Sequence, residues 1–311
     1  MKARYLAFYS YIGTSFRSSE KLWFKDGKKY PDPESVQGLM EIALLKLRSL
    51  NYPSIILSSR TDGGVHAINT SAHFDLEKYG SGIYDPSTVA FQINKFFLNN
   101  SPIFVKKCIR VPDNFHARFN AISRTYLYSL YYILLIPPSP LSSQFFPGVV
   151  WKRSLFSFDI ERFKEGAKYF VGYHDFSTFK RHDKLNPHKH NRREILSIDV
   201  RPGKPLLVSN IQGRDNVFHY FDIEIKGKAF VHNQIRRMIG TLNTVATGKL
   251  QPEDVKVMLQ IPSKHSWHSF IQNCPPDGLY LCNVEYNPED LIYDDSVTEN
   301  KDIINIRSGT E

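Results

Sequence analysis

The chain has 311 residues, 41% hydrophobic and 23% charged, the balance of a folded protein long enough for one large core or two smaller ones. Its formal charge is +9, unevenly spread: Tyr286 to Glu311 holds seven acids against two bases, which leaves +14 on residues 1–285 and points to a polyanionic partner, nucleic acid above all. Cys108, Cys274 and Cys282 are too few and too scattered for a disulfide framework, and the longest apolar run, Leu130 to Ile136, is far short of the ~20 residues that cross a bilayer.

Met1 to Arg4 runs directly into a strand over 5–10, leaving no room for a cleavable leader, so an intracellular protein is expected. Ser35 caps a helix in which Val36, Leu39, Met40, Ala43, Leu44 and Leu47 recur at helical spacing. Strands over 54–57 and 67–74 flank a glycine-bearing loop. Asp85-Pro86 opens a second helix, with Val89, Ala90, Ile93 and Phe97 on one face, and Ile103 to Arg110 is the next strand. This first third reads as a split βαβ unit. A long strand from Arg124 to Leu135 follows, with Tyr126, Tyr128, Leu130 and Tyr132 on one face. Residues 136–150 read as a proline-rich loop, and a helix over 159–171 should stop at Gly172. Strands over 195–200, 205–211 and 216–226, a helix over 231–246, a short helix at Pro252 and a strand from Leu279 to Tyr286 complete the pattern. From Asn287 the composition turns acidic and patternless, as in a loose tail. The expected division is 1–114, 115–286 and a disordered tail, 287–311.

The loop Ser58-Ser59-Arg60-Thr61-Asp62-Gly63-Gly64-Val65-His66-Ala67 carries a carboxylate between two strands. Asp-Gly is also a common hairpin connection, and an aspartate there suits a turn, a metal site or a nucleophile. Metal binding is the weakest of the three, because no second acid lies nearby and His66 and His73 are not at a recognisable ligand spacing. A nucleophile must stay ionised when a base covers it. Burial raises a carboxylate pKa by up to ~3–5 units and an adjacent guanidinium lowers it by ~1–3, so a buried catalytic aspartate needs an arginine partner. Arg236, beside the apolar Ile235, is the candidate, although Arg236 and Arg237 equally suit a solvated helix start. Tyr126 and Tyr128 suit the core or a nucleobase stack. Lys180 to Arg193 holds six Lys/Arg and three His, a loop fit for phosphate contact through Lys189, Arg192 and Arg193. Zinc binding by its histidines lacks matching cysteines.

Arg60-Thr61-Asp62-Gly63-Gly64-Val65-His66-Ala67 resembles the R-T-D-x-G-V-H signature loop of the TruA-type tRNA pseudouridine synthases. Phe115-His116-Ala117-Arg118-Phe119, Arg124-Thr125-Tyr126-Leu127-Tyr128, Asp175-Phe176-Ser177, Phe230-Val231-His232-Asn233-Gln234-Ile235-Arg236 and Asp277-Gly278-Leu279-Tyr280-Leu281 match further family segments in order, so the resemblance covers about residues 5–286. It implies an α+β fold, a mixed and mostly antiparallel sheet shared by two RRM/ferredoxin-like halves with helices packed on one face. It also implies conversion of uridine to pseudouridine in tRNA, near the anticodon stem-loop, without cofactor or metal. Asp62 matches the catalytic aspartate, Tyr126 the base-stacking tyrosine, Arg236 the arginine paired with the aspartate, and Arg60 the arginine that enters the RNA stack as the target base swings out. Bacterial members pair as homodimers.

The sequence departs from the family in two places. Tyr11-Ile12-Gly13 and Ser18-Ser19-Glu20 stand where Y-D-G and G-W-Q are usual, and Gly63 stands where alanine is usual. These features are closest to the divergent pseudouridylate-synthase-like animal branch, some of whose members are mitochondrial, so the expected compartment is mitochondrial matrix or cytoplasm. They also keep open an RNA-binding module that has lost catalysis. A zinc-dependent nucleic-acid enzyme using the His-rich loop is a third reading.

Overall fold

The computed structural model describes residues 1–22, 32–98, 102–133, 158–181, 190–204 and 218–293. The expected loop over 136–150, the strand over 205–211, the start of the strand over 216–226, Lys189 with most of the basic loop, and the tail beyond 293 lie outside those residues.

Among the described residues, nine strands form one mixed, mostly antiparallel sheet. β1 (Lys2–Tyr11) lies between β3 (His66–Glu77) and β4 (Ile103–Val111), antiparallel to both. The two-residue β2 (Ile56–Leu57) adds to β3. β5 (Ala121–Ile133) pairs with β8 (Phe218–Gly227), β8 with β7 (Arg192–Pro202), and β7 with β6 (Gly172–Asp175), all antiparallel. The join is made by β9 (Leu279–Tyr286), antiparallel to β5 and parallel to β3 through His66–Tyr280 and Ala67–Leu281. The last described strand thus closes the sheet in its middle, at the start of β3, where the Asp62 loop ends.

Among the described residues, five helices accompany the sheet. The Ser35 hydroxyl accepts from the Gly38 N–H to cap α1 (Val36–Leu45), and the Asp85 carboxylate caps α2 (Pro86–Phe97) through Thr88 N–H. Each such cap contributes about 1 kcal/mol. α3 (Ile160–Lys168), α4 (Gln234–Ala246) and α5 (Pro252–Gln260) follow. Tyr5, Ala7 and Tyr9 of β1 belong to the main apolar core, together with Met40, Ile93, Phe163, Ile239 and Val255 from the five helices. Because strand side chains alternate, Leu6 serves the other face, where it meets Val111, Phe115 and Ala117 in a smaller cluster.

Several boundaries differ from expectation: α4 begins at Gln234 rather than 231, and β2 spans only two residues. α3 stops at Lys168, and Gly172, at a φ of 111° that favours glycine, redirects the chain into the short strand β6. Residues 287–293 pack rather than trail: Pro288–Leu291 form a 3-10 turn, Asn120 donates to Asp290, and the Arg110 guanidinium lies 3.5 Å from the Tyr293 ring centroid. No helix among the described residues is long and apolar enough to cross a membrane.

Candidate active site

The loop between β2 and β3 is held by a second segment laid across it. Ser18 bridges to Asp62 in antiparallel fashion. The Ser19 hydroxyl accepts from Thr61 N–H (2.7 Å) and donates to Thr61 C=O (3.2 Å), while Tyr11 and Thr61 hydroxyls bond at 2.6 Å. The approach requires glycine: a Cβ on Gly63 would sit 2.4 Å from the Arg17 carbonyl oxygen. Gly64, at φ +84°, makes the left-handed turn that sends the chain into β3, and a Cβ there would meet Pro276 at 2.7 Å.

Asp62 faces the start of α4. Arg236 donates from Nη1 to Asp62 Oδ2 at 3.3 Å, and His232 Nε2 lies 3.1 Å from Oδ1, so each carboxylate oxygen has its own partner. Arg236 does not belong to a solvated helix start. Its side chain is 14% exposed, and it also donates from Nε to the Cys274 carbonyl (2.6 Å) and from Nη1 to Asn233 Oδ1 (2.9 Å). Its neighbour Arg237 turns elsewhere, donating to Thr178 C=O with its guanidinium 4.2 Å from the Trp267 ring centroid. Burial pushes the Asp62 pKa up, but the hydrogen bonds and charges of His232 and Arg236 outweigh it and hold the carboxyl below its ordinary value. Asp62 is therefore ionised throughout the neutral range and loses its charge only at more acid pH than a free carboxylate.

Tyr126, on β5, is buried with its ring edge-on to Phe230 at 5.1 Å, and its hydroxyl bonds Ser59 Oγ at 3.0 Å. Burial raises its pKa, opposed by Ser59 and Arg124, and the charge of Asp62 adds to the rise. Arg124, two residues earlier, donates to four backbone carbonyls, those of Ser58, Arg118, Ala121 and Lys228. One buried guanidinium thus ties the entry of the Asp62 loop to β5 and to the end of β8, with no carboxylate partner among the described residues. Arg60 is at the rim, 50% exposed, its Nη1 2.6 Å from Glu20 Oε2.

The structure therefore brings Asp62, Arg236 and Tyr126 into one neighbourhood and sets Arg60 at its edge. Arg192 and Arg193, at the start of β7, make no hydrogen bond or ion pair with Asp62, Arg236 or Tyr126; Arg193 donates to the His190 and Arg192 carbonyls. His232, Arg124 and Ser19 fall in segments the sequence marks as matches or departures, but the sequence alone assigns them no role. No periodicity marks His232, which lies ahead of α4 beyond the left-handed Asn233.

The comparisons agree with this architecture. The family model described as tRNA pseudouridine synthase matches residues 167–287. The chain is 32% identical to a tRNA pseudouridine synthase-like 1 of Xenopus laevis over 93% of either chain. It is 34% identical to a tRNA pseudouridine synthase A of Dinoroseobacter shibae, over 86% of this chain and 93% of that one. The human tRNA pseudouridine synthase-like 1 is 31% identical, over 92% and 91%. Fold and relatives together define an isomerase of the pseudouridine synthase class. The chain belongs to the TruA-type tRNA pseudouridine synthase family.

Proposed function

We propose that this protein binds tRNA, swings a uridine out of its stack and converts it to pseudouridine, with Asp62 as the nucleophile. The observation that carries the reading is the carboxylate of Asp62 held ionised between Arg236 and His232, close to the buried ring of Tyr126. An aspartate in that setting needs no proton removed before it attacks the sugar or the ring. Tyr126 is the surface on which the displaced base rests, Arg236 keeps Asp62 charged once the base excludes water, and Arg60 fills the space the base leaves in the RNA. Arg192 and Arg193, with Lys189, serve the phosphate backbone. The two halves, 1–114 and 115–286, flank the site, which the order of strands supports: β4, β1 and β3 lie on one side of β9, and β5, β8, β7 and β6 on the other. The target lies in or near the anticodon stem-loop, in the mitochondrial matrix or cytoplasm, and the enzyme works alone or as a homodimer.

Tritium release from tRNA carrying [5-³H]uridine tests the reading. Wild type should release label while Asp62→Asn, which keeps the shape and removes the charge, falls by about 10³-fold or more, the scale on which a lost nucleophile acts. Equal release by both would sink the assignment of Asp62. Binding of tRNA by the wild type without release from any tRNA tried would favour the alternative, an RNA-binding module that has lost catalysis.

A further inference from the structure

The isomerisation moves a proton from C5 to N1, and a base must carry it. Uridine carries a hydrogen on C5 and none on N1; pseudouridine carries one on N1 and none on C5. When C5 bonds to C1′, the C5–H bond must break, its electron pair returning to the uracil ring, and some group must take the proton. Arg236 has no lone pair to offer. Tyr126 is a buried phenol whose pKa burial has raised, so it holds its own proton at neutral pH. Imidazole is the side chain that both takes up and returns a proton near neutrality.

His232 is placed for that task. Because Asp62 is ionised, the ring nitrogen 3.1 Å from it, Nε2, carries the hydrogen and donates to Oδ1. In its neutral form the ring keeps that hydrogen and leaves Nδ1 a lone pair, and Nδ1 has no hydrogen-bond partner among the described residues. The side chain is 56% exposed, so water reaches the ring. Its backbone is fixed in spite of that exposure. His232 C=O accepts from Arg181 N–H (3.0 Å), Val231 N–H donates to the Gln234 side chain (2.8 Å), and Asn233 takes the left-handed turn at φ 62° that opens α4. The arrangement is an acid–imidazole pair in which one nitrogen is oriented by the carboxylate and the other is free to act.

We propose that His232 is the proton carrier of the reaction, accepting the C5 proton at Nδ1 once the C5–C1′ bond has formed. The inference rests on the isomerase reading above. Where Asp62 has attacked the sugar, its carboxylate is freed as C5 bonds to C1′, and it faces the imidazolium at Nε2. N1, which kept the electron pair of the broken glycosidic bond, takes one proton from the imidazolium or from water. Atoms and charges then balance with RNA, protein and water alone, and the hydrogen once on C5 passes to solvent.

The test compares wild type with His232→Gln and His232→Ala on tRNA made with uridine or [5-²H]uridine, following pseudouridine formation and tRNA binding. Glutamine keeps an N–H for Asp62 and has no basic nitrogen. The expected result is a loss of roughly 10²–10⁴-fold in turnover for both variants, the range of general acid–base catalysis, with tRNA affinity unchanged and a primary C5 isotope effect larger than that of wild type. A glutamine variant as fast as wild type, or one slowed with no rise in the C5 isotope effect, would overturn the proton role. In the second case His232 would only orient Asp62. Failure of the wild type to form pseudouridine in any tRNA would remove the reaction itself, and the relay with it.

Discussion

Glu20 and Lys21 are consecutive residues that make opposite kinds of ion pair, and the two pairs bracket the Asp62 loop. Lys21 turns inward: its ammonium reaches both oxygens of Glu41 at 2.9 and 2.7 Å, with the two side chains 2% and 0% exposed. Glu41 also accepts from the Tyr52 hydroxyl and the Ile55 N–H, so every polar group in this buried knot has a partner. Glu20 turns outward and holds Arg60 at the solvent edge. A desolvated pair costs several kcal/mol to break by removal of one partner, whereas an exposed pair contributes about 0–1 kcal/mol and is screened by salt. The segment over the Asp62 loop is thus anchored where it meets α1 and easily released where it meets Arg60. The proposed role of Arg60 calls for that asymmetry, since an arginine that must leave for the RNA should not be tightly held.

The comparison can be broken most directly at its strong end. Lys21→Met leaves the Glu41 carboxylate buried without its cation and should cost about 3–5 kcal/mol of stability, read from urea unfolding; a change below 1 kcal/mol would erase the distinction between the two pairs. Gly63→Ala comes next. Its methyl would press on the Arg17 carbonyl, so a loss of about 1–3 kcal/mol is expected in the same unfolding assay. Tritium release should fall with it, because the segment that must shift also bonds Thr61. Glu20→Gln should have the smallest effect, within about 1 kcal/mol on stability. It should also tighten tRNA binding modestly at low salt, since Arg60 then faces the RNA unneutralised. Filter binding at two salt concentrations would read that shift, and a stability loss like that of Lys21→Met would contradict the contrast.

Local pattern made most elements readable: apolar spacing marked α1, α2 and α4, and caps at Ser35 and Asp85 marked two of their starts. β6 escaped because four residues are too few for alternation to show. The juxtaposition of Asp62 and Arg236, 174 residues apart, has no local signature. It was legible through the family motifs and through the physical need of a covered carboxylate for a cation. His232 was harder to see, since its reach to Asp62 depends on the left-handed backbone of Asn233, which no periodicity announces. Arg124 looked like part of a tyrosine strand; its use of four main-chain oxygens emerges only when β5, β8 and the Asp62 loop are assembled.

Gly63 and Ser19 have a practical meaning for anyone exchanging parts between relatives. The missing methyl at 63 makes room for the backbone of Arg17, and the same overlying stretch sends the Ser19 hydroxyl to Thr61. The two departures from the usual family pattern therefore fit each other like a tenon and its slot. A chimaera that imported the customary alanine alone would inherit a collision, and one that imported the customary tryptophan alone would forfeit both Ser19 bonds. The two stretches should be transplanted as one cassette.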